Sequence, residues 1–324
     1  MRKIAVEEHF VSPRFAAGAG REYMDYHRGR PPRGPQLIKQ LEEVGEQRIA
    51  EMDAAGIDMQ VLSLHTPGVE QLGPEEAIET AREANEFLAD VVKRNPARFA
   101  GLAALPTSAP EDAARELERL VTRQNFKGAI INGHTRGRYL DDPFFWPMLE
   151  CAAALEVPIY LHPAVPPKAV VDASYGGLPG SMTFLLSANA WGWHIETATH
   201  LLRAIVAGVF DKFPNLQIVI GHLGETLPFM LPRFDRNLPM NVTRLQRPVS
   251  DYLRQNVNYT LGGFNFPAAF LNLLLEIGVD RIMFSVDYPY GSMKEAVGFL
   301  ENIPVGAADR EKIAHGNAER LFRL

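Results

Sequence analysis

Four short apolar runs in this chain end in side chains that can bind a metal ion or carry a proton. The stretch Lys3–Phe10, Lys-Ile-Ala-Val-Glu-Glu-His-Phe, presents Glu7 and His9. Pro-Ile-Tyr-Leu leads to His162, Gln-Ile-Val-Ile-Gly to His222, and Ile-Met-Phe-Ser-Val to Asp287. Strand side chains alternate faces, so Glu7 and His9 are expected to project together and Glu8 away from them. A carboxylate and an imidazole on one side of a strand exit make half of a divalent-metal site. Taken singly, each of these residues also reads as a solvated strand end or a packed histidine. Their joint placement at strand exits is what points to chemistry.

The elements that must carry them alternate along the whole chain. Strands are predicted around Ile4–Val6 and at Gln60–Leu64, Phe99–Ala104, Gly128–Asn132, Pro158–His162, Gln217–Gly221, Asn258–Leu261 and Arg281–Val286. Helical periodicity fills the intervals: Leu37–Ala55 closed by Gly56, Pro74–Asn95, Glu111–Arg123, Phe144–Leu155, His194–Lys212 and Ala268–Ile277. Eight strand–helix units of this kind predict a parallel (β/α)8 TIM barrel forming a single domain over residues 1–324. No Gly-x-Gly-x-x-Gly follows any strand, which removes the main sign of a dinucleotide fold. Two Gly- and Pro-containing stretches, Val11–Pro35 with Arg28, Arg30 and Arg33, and Pro163–Trp193, read as long loops over the strand ends. In a barrel the C-terminal strand ends converge, and the eighth strand closes against the first. Glu7, His9, His162, His222 and Asp287 then meet at one mouth, with His65 and Asn132 at the same end.

Composition excludes several classes. Hydrophobic residues make up 46% and charged residues 22%, enough apolar material for a sizeable core. A net charge of −6 argues against a nucleic-acid or membrane-surface partner, which calls for a basic face. No apolar run is long enough to span a bilayer, and the first strand begins too early for a signal peptide, so a cytoplasmic protein is expected. Cys151 is the only cysteine and lies in an apolar helical run, which predicts a structural thiol.

Several motifs resemble the amidohydrolase superfamily in its branch of metal-dependent nonoxidative decarboxylases, which act on γ-resorcylate, 2,3-dihydroxybenzoate and 5-carboxyvanillate. They are Glu7-x-His9, Tyr160-Leu161-His162-Pro163, Gly221-His222-Leu223-Gly224-Glu225, Ser285-Val286-Asp287-Tyr288-Pro289, Trp191-Gly192-Trp193 and the closing Asn317-Ala318-Glu319-Arg320-Leu321-Phe322. The resemblance implies that Glu7, His9, His162 and Asp287 hold one divalent ion, zinc or manganese. It also implies that a small aromatic carboxylate is the substrate and that the chain forms a homodimer or homotetramer. Asp287 is then expected to protonate the ring carbon that loses CO2, with His222 and Glu225 polarising the substrate oxygens. Glu225 reads equally as a helix-end carboxylate serving the helix dipole. Arg233 matches a position at the substrate site or the subunit boundary, and reads equally as a surface partner of Asp235. His65 and Asn132 are candidate pocket residues, or residues that satisfy loop backbone. The sequence departs from relatives at Ala164, where some carry arginine, and at Gly291-Ser292, where an acidic residue is frequent. The alternative on the same barrel is a metal-dependent hydrolase of a lactone, amide or ester, with Asp287 as the base.

Overall fold

A computed structural model describes all 324 residues. Its strands are β1 (Ile4–Phe10), β2 (Met59–Leu64), β3 (Phe99–Gly101), β4 (Ala103–Ala104), β5 (Ala129–Asn132), β6 (Ile159–His162), β7 (Ile218–Ile220), β8 (Val257–Thr260) and β9 (Ile282–Met283). All neighbouring pairs are parallel, in the order β1-β2-β3 and β4-β5-β6-β7-β8-β9. β3 and β4 are one barrel strand interrupted at Leu102, whose N–H donates to Leu62 O, while Ala103 N–H turns to Gly128 O. The ring closes where Val6 N–H donates to Phe284 O and His9 N–H to Tyr288 O. The fold is therefore the expected eight-stranded barrel.

The core has two layers. An inner cluster of 12 buried residues includes Ile4, Val6, Met59, Val61, Tyr160, Val219 and Met283, and takes in Phe322 from the C-terminal helix Asn317–Phe322. A larger cluster of 70 buried residues packs the outer strand faces against the helices. β1 begins with Ile4 and Val6 facing inward, yet Glu7 also faces inward. The register with β2 shifts between Ala5 and Glu8. That irregularity changes the parity of the strand and turns Glu7 and His9 together toward the barrel axis.

Several boundaries differ from expectation. The segment Val11–Pro35 is not a loop: it forms helices at Pro13–Ala17 and Arg21–Arg28, and enters the helix Arg33–Glu42. Ser12 starts the first of them by accepting from Phe15 N–H. The helix expected at Leu37–Ala55 is two, Arg33–Glu42 and Glu46–Ala55, parted at Gly45. The loop expected at Pro163–Trp193 contains helices Lys168–Ser174 and Met182–Ser187. The last strand is only Ile282–Met283, because the Phe284 N–H leaves the ladder and donates to Ile313 O, and Asp287 beyond it takes a left-handed φ of 61°. Cys151 is half-buried, with its thiol 3.4 Å from Ala114 O.

Candidate metal centre and active site

Glu7 leaves β1 with its carboxylate divided between two tasks. Oε2 accepts from Thr260 Oγ1 at 2.6 Å, while Oε1 is buried with no hydrogen-bond partner. Two glycines make room for it. A Cβ at Gly221 would lie 2.5 Å from Glu7 Oε1, and one at Gly262 would meet His222 N at 2.4 Å and Glu7 Oε2 at 2.8 Å. His9, two residues further along the strand, directs Nε2 to 3.2 Å from Asp287 Oδ1, again without a hydrogen bond.

His162 ends β6. Its Nδ1 lies 2.9 Å from both Pro163 O and Thr66 Oγ1, and the carbonyl can only accept, so Nδ1 carries the proton. Nε2 is then a lone pair, and it faces Glu7 Oε1 at 3.8 Å. Donors of His9, His162 and Asp287 lie within 4.8 Å of one another. Two carboxylates and two imidazoles around one point, with Glu7 Oε1 and His9 Nε2 otherwise unpartnered, fit a divalent ion.

His222 follows β7 in a sharp turn in which His222, Leu223, Glu225 and Thr226 all have positive φ, between 51° and 69°. Such a run of non-glycine residues is strained backbone, of the kind that accumulates at functional sites. The turn brings Glu225 back so that Oε1 accepts from His222 Nδ1 at 2.6 Å. His222 Nε2 then faces Glu7 Oε1 at 3.8 Å and Asp287 Oδ2 at 3.9 Å. Burial alone lowers the affinity of His222 for a proton, but Glu225, Glu7 and Asp287 outweigh it and raise its pKa well above the ordinary value. Burial pushes Asp287 and Glu225 upward, and the facing imidazoles bring both below their ordinary values. The opposite shifts of His222 and of the carboxylates facing it show that the pair is electrostatically complementary. Glu7 keeps a raised pKa because its burial is only partly compensated.

Other residues fall around this centre in ways the sequence did not separate. His65, after β2, stands edge-on to His9 with ring centroids 5.5 Å apart, and Nε2 lies 2.6 Å from Tyr290 Oη. Tyr290 in turn contacts the hydroxyl of Tyr23, from the helix Arg21–Arg28 that covers this side. Burial and the neighbouring His9 hold His65 well below its ordinary pKa, so it is neutral. Asn132 lies behind His162. It is 1% exposed and its Oδ1 accepts from Thr66 Oγ1 at 2.8 Å, so it supports the residue behind His162. Arg233 is also not in the cluster. It is exposed on the helix Leu227–Asn237, and its side chain makes no ion pair. The alternative Arg233–Asp235 pair does not form either, because Asp235 accepts from Ser250 N–H and Oγ.

His194 was missed. It lies in the first turn of the helix Gly192–Val206, and its Nδ1 lies 2.6 Å from Glu225 Oε2, so the Glu225 carboxylate bridges two imidazoles. Nothing at a helix start after Trp-Gly-Trp marked it as part of a strand-end site. The same contact removes the helix-end reading of Glu225, whose carboxylate is engaged by side chains and not by helix amides.

An amidohydrolase family model matches residues 25–324. A γ-resorcylate decarboxylase from a Polaromonas species is 39% identical over 99% of this chain and 98% of that protein. Among solved structures, the Polaromonas dihydroxybenzoic acid decarboxylase with bound manganese and 2-nitroresorcinol superposes with a TM-score of 0.90 at 38% identity, covering 100% of this chain and 97% of that one. The Novosphingobium aromaticivorans 5-carboxyvanillate decarboxylase, with manganese and 4-hydroxy-3-methoxy-5-nitrobenzoic acid, gives 0.91 at 34% identity, covering 100% and 96%.

Proposed function

The chain belongs to the amidohydrolase family, and from that premise we propose that it is a metal-dependent nonoxidative decarboxylase of a hydroxylated aromatic carboxylate. The observation that carries this reading is the unpartnered, buried Glu7 Oε1 aimed at the same point as His9, His162 and Asp287. These four would hold one divalent ion, zinc or manganese. Two carboxylates offset a 2+ charge, which weakens the generation of a hydroxide nucleophile and leaves positions for an anionic chelating substrate. The relatives named as γ-resorcylate and 5-carboxyvanillate decarboxylases support the same reaction class.

When bound, the ion supplies the positive centre at which the substrate's carboxylate and neighbouring phenol oxygen are held. The chain's own residues handle the proton. His222, kept in one tautomer by Glu225, stores it and faces Asp287 Oδ2. Asp287 delivers it to the ring carbon that bears the carboxylate, while the phenol oxygen supplies electron density to that carbon. The bond to the carboxylate then breaks, its electrons restore the aromatic ring, and CO2 leaves. His65 and Tyr290 form a neutral polar wall beside this position.

The same reading takes the whole chain, 1–324, as one cytoplasmic domain acting as a homodimer or homotetramer. No helix is long and apolar enough to cross a membrane. Support for assembly comes from the exposed Phe229, Met230, Phe266 and Leu275, since apolar exposure of this kind marks association surfaces. Arg233 lies on the same helix as Phe229 and Met230, which favours its role at a subunit boundary. The test is turnover by the metal-loaded protein of a panel of hydroxybenzoates and simple lactones, followed by mass spectrometry. Loss of CO2 supports the decarboxylase. Gain of water in a lactone without loss of CO2 from any hydroxybenzoate replaces it with the hydrolase, in which Asp287 takes a proton.

A further inference from the structure

Glu8 sits in sequence between two of the residues assigned to the ion, yet faces away from it, and is completely buried. Its carboxylate does not meet another side-chain charge at hydrogen-bond distance. Oε1 accepts Val286 N–H at 2.8 Å, and Oε2 accepts Tyr288 N–H at 3.3 Å and Gln60 Nε2 at 3.4 Å. Val286 and Tyr288 are the residues on either side of Asp287. In a regular parallel pair those amides would donate to carbonyls of β1. The left-handed turn at Asp287 breaks that ladder, and the Glu8 carboxylate stands in for it.

A second buried group works on the same joint. Arg48, 0% exposed on the helix Glu46–Ala55, donates from one Nη2 to His9 O at 2.8 Å and Gln40 O at 2.7 Å. Its guanidinium lies 4.5 Å over the Tyr288 ring. Glu8 thus grips the backbone flanking Asp287, and Arg48 grips the backbone of His9 and the ring that follows Asp287.

We propose that Glu8 and Arg48 form a buried brace whose function is to hold Asp287 in its strained conformation facing His9 and His222. Both are positioning residues: neither touches the centre. The rate part of the test rests on the decarboxylase reading, and the exchange part does not.

Glu8→Gln retains the shape but offers one carbonyl oxygen and a donor that opposes the second amide. Three results are expected. Turnover falls by about 10–100-fold, as for supports of metal-site residues, with KM within about threefold. The double variant with Asp287→Asn is no slower than Asp287→Asn alone, because the brace acts through that carboxyl. Hydrogen exchange in the full chain, with and without added Mn2+, shows the Val286 and Tyr288 amides protected in the wild type and at least about tenfold less protected in Glu8→Gln.

Turnover within about twofold of wild type, or losses that multiply in the double variant, overturn the proposal. So do wild-type amides at 286 and 288 that exchange like exposed loop. Should Glu8→Gln not fold, Arg48→Lys keeps the charge and loses the planar fork. It is expected to show the same loss of turnover with unchanged KM, and normal turnover in it overturns the brace. Absence of any wild-type decarboxylation sinks the proposed function, leaving the exchange measurement to judge the brace alone.

Discussion

Two buried glutamates in this molecule show how differently a carboxylate can be used. Glu116, on the helix Pro110–Gln124, has every acceptor filled. Oε1 takes Asn85 Nδ2 at 3.1 Å and Arg119 Nη2 at 2.8 Å, and Oε2 takes Arg119 Nε and Arg82 Nη2, each at 2.9 Å. Burial raises its pKa, and Arg119, Asn85 and Arg82 more than reverse that. Its backbone is regular helix. Glu7 has one oxygen satisfied by Thr260 and one left over, in a shell of strained turns. Unused bonding capacity, held in place by neighbours that could have filled it, separates the site from the scaffold. At Glu116 charge is consumed in tying helices together. At Glu7 it is kept available.

This contrast can be broken by mutation. The largest effect is expected at Asp287. Asp287→Asn keeps the shape and an oxygen ligand but removes the transferable proton. Metal content should persist, weakened, while decarboxylation falls by the roughly 10²–10⁴-fold typical of a lost general acid. Metal analysis beside steady-state kinetics checks both parts, and near-normal turnover would remove Asp287 from the chemistry.

Next in size is the bridge behind His222. Glu225→Gln should leave metal content unchanged and lower turnover by about 10–100-fold, with His194→Gln near the bottom of that range. A silent Glu225→Gln would reduce the two-imidazole bridge to packing.

The scaffold side of the comparison predicts the opposite pattern. Glu116→Gln should lower the unfolding free energy by about 1–3 kcal/mol, the scale of hydrogen bonds to a charged group, and leave turnover within about twofold. Denaturant melts and kinetics on the same preparation decide it. Equal damage to both glutamate sites would collapse the distinction.

Glu70 lies between the two cases, with Oε1 accepting Asn132 N–H at 2.8 Å and Oε2 unpartnered. Burial pushes its pKa up from 4.5 to about 8, with the amides of Asn132, Glu70 and Val69 opposing. The folded chain therefore keeps a proton that the unfolded chain loses. Stability from this group is complete below pH 4.5 and is lost as pH rises through about 8. Glu70→Gln does not titrate, so its stability relative to wild type should increase between pH 5 and pH 8.5. Parallel stability curves would show Glu70 ionised in the fold.

What could be read from the sequence was whatever local pattern controls. Strand runs ending in His162, His222 and Asp287 placed the mouth, because a barrel delivers strand ends to one face. Glu225 was legible as three residues from His222, although its second partner was not. His194 comes from a helix start more than two dozen residues upstream, and only the turn at Leu223–Thr226 brings the two together. Glu8 was set aside by correct alternation, since facing away from Glu7 and His9 is what lets it reach the amides around Asp287. The cover over the mouth reads as loop because its helices are only five and eight residues long, flanked by Gly18, Gly20 and Gly29, and too short for periodicity to register. Asn132 was at the right strand end but pointed at Thr66, a distinction that depends on side-chain direction and not on position.

The proposed function turns on a proton passing from Asp287 to carbon. Wild-type turnover in deuterated water tests it most directly. One deuterium should be placed on the product ring at the carbon vacated by CO2, and nowhere else. An enzyme that instead opens esters or lactones, carrying ¹⁸O from labelled water into an acid product with no CO2 released, would contradict the account.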